Sequence, residues 1–121
     1  MLEEGMFYTR REIHDLLGGE LQTYLPAKGG LVTCACLTLK RNPDAPNTIL
    51  VGQSSRVLER AKQLCAQGGT IPVFVKRNTN KWEYVGRYQI ERCSADATDI
   101  DKYQQLSGRT NLQMVVFLKE S

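Results

Sequence analysis

Only two stretches of this chain carry the apolar period of a helix, and a Gly-Gly pair follows each of them. The first opens at Thr9-Arg10-Arg11-Glu12, where threonine and glutamate can satisfy each other's orphan amides. Ile13, Leu16 and Leu17 then form a narrow apolar stripe, and Gly18-Gly19 supplies the left-handed conformation in which helices end. The second stretch runs from Ser54 or Ser55 to about Gln67. Val57, Leu58, Ala61, Leu64 and Cys65 share one face, Arg56, Arg60 and Lys62 lie largely off it, and Gly68-Gly69 stops it.

The rest reads as strand. Leu31 to Leu39 is apolar and β-branched, and the turn-rich loop Arg41 to Asn47 follows it. Thr48 to Val51 is a short buried strand. Ile71 to Lys76 and Trp82 to Glu91 flank Asn78-Thr79-Asn80-Lys81 and suit a hairpin. Met114 to Leu118 is a last strand, and a helical turn is possible near Asp99 to Leu106. Strands with two inserted helices, without strict β-α alternation, predict an α+β fold. The expected architecture is a small, curved, mixed or antiparallel β-barrel of about five to six strands with two packed helices, in a single domain over residues 1–121.

Function classes narrow on charge and cysteine. The net charge is +3, divided as −2 over residues 1–30 and +5 over residues 31–121, which permits an anionic partner without requiring one. No run approaches the roughly 18 apolar residues of a membrane span, so no membrane partner is expected. The acidic start, Met1-Leu2-Glu3-Glu4-Gly5, is unlike a signal peptide. An intracellular location is expected, cytoplasmic in a prokaryote and nuclear in a eukaryote. Cys34, Cys36, Cys65 and Cys93 form one C-x-C beside a single histidine, His14, which is not the spacing of a zinc site. They are expected to be buried reduced thiols, with no metal and no cofactor.

Three segments, in order and at compatible spacing, resemble the SRA-like domains of modification-dependent HNH restriction endonucleases, members of the PUA-like superfamily. They are Thr9 to Gln22 with its Gly-Gly-x-x-Gln turn, Ile49-Leu50-Val51-Gly52 with the helix to Gly69, and Ile71 to Val75 with Trp82 to Tyr88. The chain departs from that pattern after Gln22, where Thr23-Tyr24-Leu25-Pro26 stands in place of an expected early glycine. The resemblance implies recognition of a modified base, typically a modified cytosine, flipped out of duplex DNA into a pocket. It also implies a reader without catalytic residues of its own, since the only histidine lies in the first helix, and a nuclease domain or subunit as a possible partner.

Flipping a base costs a few kcal/mol, which aromatic stacking and hydrogen bonds to the base edge must offset. Gln22, Tyr24, Trp82 and Tyr84 are the expected base-pocket residues. Trp82, Tyr84 and Tyr88 alternate on one strand face and serve barrel core as readily as a pocket. Arg10, Arg11, Arg56, Arg60, Lys76, Arg77 and Lys81 are the expected phosphate contacts, with Gln53 and Ser54 at the start of the second helix. Two other functions remain open. One is an RNA-binding or protein-interaction barrel of PUA-like type, stacking unpaired bases on the same aromatics. The other is a divergent nuclease, because Thr48 to Arg60 is similar to the second strand and arginine-bearing helix of GIY-YIG nucleases. Against it, Leu50 stands where a tyrosine is needed, no Gly-Ile-Tyr precedes it, and Glu91 is the strand-borne carboxylate that remains.

Overall fold

A computed structural model describes residues 2–121. The elements, in chain order, are β1 (Phe7–Tyr8), α1 (Arg10–Leu17), β2 (Ala27–Lys28), β3 (Leu31–Val32), β4 (Ala35–Leu37), β5 (Thr48–Val51), α2 (Ser55–Gln67), β6 (Thr70–Asn78), β7 (Lys81–Ser94), α3 (Ala97–Ser107) and β8 (Met114–Glu120). One sheet runs β4-β6-β7-β8-β5, with β1 paired to β7, while β2 and β3 form a separate hairpin. β4 runs parallel to β6 and the other pairings are antiparallel, so the nearly closed barrel is mixed.

β7 makes the curvature. Its first half pairs with β6 and its second half with β8, and the register slips at Val85 and again at Glu91. Each slip inserts an unpaired residue that bends the strand and increases its twist. This lets one 14-residue strand serve two neighbours. Both faces of the sheet are covered. Inside lie Leu25, Ala35, Leu37, Ile49, Val51, Val73 and Val116, against Ala61 and Leu64 of α2. Outside, α1 covers Cys34, Cys36, Phe74, Trp82 and Tyr84 with Ile13, and α3 covers Leu50 and Val115 with Tyr103. Burial on both faces is why residues 49–51 of β5 read as an unbroken apolar run.

Both helices expected from the sequence form. Thr9 and Glu12 close the capping box, with Glu12 N donating to Thr9 Oγ1 at 3.1 Å and Thr9 N to Glu12 Oε1 at 2.8 Å. Gly18-Gly19 ends α1 against the hairpin: at φ +91°, a Cβ on Gly19 would lie 2.6 Å from Pro26 Cβ.

Four expectations need correction. There are three helices rather than two, because the turn near Asp99 extends to all of α3. Its apolar contact is Ile100 and Tyr103, too short a stripe to show as a period. Leu31 to Leu39 is two short strands. Gln67 holds Val32 in both directions, accepting from its N–H and donating to its carbonyl, each at 2.9 Å. Thr33 then turns to Pro26, its N–H donating to that carbonyl at 2.8 Å. Phe7 and Tyr8, outside the expected strands, form a strand opposite Glu83 and Trp82. Finally, Cys65 and Cys93 are joined in a disulfide between α2 and β7, whose Cα atoms approach to 6.4 Å, while Cys34 and Cys36 are buried free thiols as expected.

Candidate binding cavity

The two free edges of the sheet, β4 and β5, face each other across a gap, and the segment after α1 fills part of it. Tyr24 accepts a hydrogen bond from Cys36 N at 2.9 Å and directs its hydroxyl at the Leu50 carbonyl, 3.3 Å away. Beside it opens a cavity of about 510 Å³, within the range typical of ligand sites. Its wall includes Arg10, Gln22, Tyr24 and Trp82 together with Leu50, Gly52, Gln53, Ser54 and Arg109. The lining includes three arginines (Arg10, Arg41 and Arg109) and no aspartate or glutamate.

The Gln22–Tyr24 segment is fixed from α2. Glu20 receives Arg60 through both guanidinium arms, one at 2.9 Å, and also accepts from Ala27 N at 2.9 Å. The Arg60 hydrogen bonds hold its carboxyl at about 2, far below the ordinary 4.5. Arg60 further donates to the Leu25 carbonyl at 3.0 Å. Arg10 reaches the same segment from α1, donating to Thr23 O at 2.8 Å and standing 5.2 Å from the Trp82 ring centre. Its Nε is buried with no hydrogen-bond partner among the described residues. Burial pushes the Tyr24 phenol up to about 12, which keeps it a neutral donor.

Of the expected base-pocket residues, Gln22, Tyr24 and Trp82 therefore share one cavity, although Trp82 lies 60 positions from Gln22 in the chain. Tyr84 does not line it. It packs in the core at 5.3 Å from Phe74, and Tyr88 lies in the barrel interior. Among the expected phosphate contacts, Arg10, Gln53 and Ser54 line the cavity. Arg56 is exposed, 3.8 Å from Glu20 and beside a second, shallower depression. Arg60 is turned inward onto Glu20, Arg77 pairs with Glu83 at 2.8 Å, and Arg11 is an exposed partner of Asp15 at 3.9 Å. Lys76 and Lys81 are exposed near the hairpin tip, with Lys76 Nζ 5.7 Å from the Trp82 ring. His14 is structural, its Nδ1 donating to the Gly19 carbonyl at 2.5 Å.

Arg41 and Arg109 were not legible as site residues, because they lie in polar loops far from the recognised segments. Gly52 was the available signal. A Cβ there would meet Arg109 Nη2 at 2.8 Å, so the strand-Gly-helix junction leaves room for a distant side chain. Among the described residues no group of three or more His, Cys, Asp or Glu could hold a metal ion, and no helix is long and apolar enough to cross a membrane.

No curated protein matches the sequence. The fold is similar to part of a solved structure, that of the Type IV phosphorothioation-dependent restriction endonuclease ScoMcrA. The TM-score is 0.57 at 14% identity, over 99% of this chain. The chain spans 24% of the length of that protein, and the likeness is one of fold. A family model described as a domain of unknown function, DUF6697, matches residues 7–117, nearly the whole barrel. The chain belongs to the DUF6697 family.

Proposed function

We propose that this domain is a reader of modified duplex DNA in a restriction or defence system, taking a modified base, such as a modified cytosine, out of the stack into the cavity beside Tyr24. The observation that carries the reading is the lining itself: two aromatic side chains, amides at Gln22 and Gln53, and three guanidinium groups with no carboxylate. Stacking on an aromatic contributes about 1–3 kcal/mol per base, on the scale of what flipping costs. Gln22 offers both donor and acceptor to a base edge. Arg11, Arg56, Lys76 and Lys81, all exposed, are the side chains available to the DNA backbone.

The SRA-like resemblance of the sequence supports base reading, and the fold likeness to a phosphorothioation-dependent restriction endonuclease supports a DNA-related defence role. An RNA reader that stacks bases on an open sheet receives less support, since Trp82, Tyr84 and Tyr88 are each 7% exposed. We take the domain to be a reader rather than an enzyme, with any cutting done by a separate domain or subunit.

The test is binding to matched duplexes that are plain, carry modified cytosine, or carry a backbone phosphorothioate, at several salt concentrations. Tighter binding to modified cytosine, abolished by Trp82→Ala in a variant that still folds, is the expected result. Equal affinity for all three duplexes overturns the reading, and magnesium-dependent cleavage by the chain alone overturns its non-enzyme part.

A further inference from the structure

We infer that the Arg109 end of the cavity is a seat for an oxyanion, and that its occupant is the phosphate of the nucleotide whose base the cavity holds. The inference rests on the cavity being the nucleic-acid site proposed above, and it adds a binding residue that no sequence motif suggests.

Arg109 is anchored by one arm only. Its Nη1 donates to the carbonyls of Arg41 at 3.1 Å and Leu50 at 3.3 Å, while Nε and Nη2 have no hydrogen-bond partner among the described residues. Arg60, Arg77 and Arg92, by contrast, are neutralised locally, on Glu20, Glu83 and Asp99. Arg109 has no carboxylate within ion-pair distance among the described residues, and the nearby charge is a second guanidinium, Arg41. Burial pulls the Arg109 pKa down, the Tyr24 phenol opposes it and Arg41 adds to it, so the protein holds a partly desolvated cation at a cost an anion would relieve.

The position is also shaped. Nη2 occupies space that a Cβ at residue 52 would take, at 2.8 Å, so glycine there admits the guanidinium to the wall. Tyr24 and Arg109 share the Leu50 carbonyl, which fixes an aromatic side chain and a cation side by side. A base against an aromatic wall with its phosphate on a forked, charged donor is the pairing this geometry fits.

The chain has one tryptophan, Trp82, and it lines the cavity, so its fluorescence reports occupancy without a label. Three probes separate the sources of an oxyanion: 2′-deoxycytidine, 2′-deoxycytidine 5′-monophosphate, and 5-carboxy-2′-deoxycytidine, whose acid group is on the base. The expected result is that the monophosphate binds about tenfold or more tighter than the nucleoside, and that Arg109→Gln removes this difference. Gly52→Ala, which keeps the charge and displaces it, should weaken the monophosphate in the same way and guards against a folding defect in the first variant. Equal affinity for nucleoside and monophosphate overturns the seat, as does an unchanged preference in both variants. A preference for the carboxylated nucleoside over the monophosphate overturns the assignment to phosphate. Monophosphate binding that depends on Arg109, in a protein that does not discriminate modified duplexes, would keep this seat and sink the base-reading function.

Discussion

Tyr24 connects the two open edges of the sheet: its carbonyl accepts from Cys36 N of β4, and its hydroxyl lies 3.3 Å from the Leu50 carbonyl of β5. One residue is therefore both a wall of the cavity and a strut across the barrel gap. The same Leu50 oxygen also receives Arg109, so changes at Tyr24 reach the cationic end of the cavity.

Tyr24→Phe should keep the aromatic wall and lose the strut. The expected cost is about 1 kcal/mol of unfolding free energy, read by denaturant melts, with base stacking retained. The alkaline limit follows from the same phenol. Its folded pKa, about 12, lies above the ordinary 10, so the stabilisation is present below pH 10 and is lost as pH rises toward 12. Tyr84, Tyr88 and Tyr103 are also raised by burial. Tyrosinate absorbance should thus rise late and together with unfolding, and Tyr24→Phe should soften the alkaline transition.

The acid limit involves Glu20. Its carboxyl is depressed from 4.5 to about 2 by Arg60, so its contribution is present above pH 4.5 and is lost as pH falls toward 2. Arg60→Met should destabilise the chain by roughly 1–2 kcal/mol at neutral pH, discounted for partial exposure, and flatten stability between pH 4.5 and 2. Urea melts across that range check it. Because Arg60 also holds the Leu25 carbonyl, the variant should loosen the Gln22–Tyr24 segment and weaken ligand binding more than it weakens the fold.

Thiol chemistry tests the corrected cysteine assignment. Unfolded without reductant, the protein should show two reactive thiols, Cys34 and Cys36, and four after reduction. The Cys65–Cys93 bond spans 28 positions, and Cys93→Ser should cost about 3 kcal/mol by constraining the unfolded chain less. Four thiols without reductant would refute the bond.

Gly19→Ala should be among the most damaging small changes. It places a side chain at φ +91° and 2.6 Å from Pro26 Cβ, for an expected loss of at least about 2 kcal/mol by thermal or chemical denaturation. Gly5→Ala has the same kind of φ but open space around it, so the difference between the two variants isolates the packing part.

The sequence by itself determined the elements whose causes are local. The Thr9–Glu12 box, the glycine stops after α1 and α2, and the β6–β7 hairpin depend on neighbours a few residues apart, and all were readable. It also brought forward Gln22, Tyr24 and Trp82, because an aromatic or amide in a loop or near a strand end can offer a base a stacking face or an edge partner. Tyr84 shows the limit: strand alternation put it on one face with Trp82, and only packing of α1 and Phe74 made that part of the face core. Tertiary structure alone decided that β4 and β5 face across a gap, that Arg60 belongs to Glu20, and that Cys65 meets Cys93. It alone brought Arg109 into the cavity over Gly52, 57 positions away in sequence. Charge and thiol pairing depend on distance in space, which a pattern of spacing along the chain does not encode.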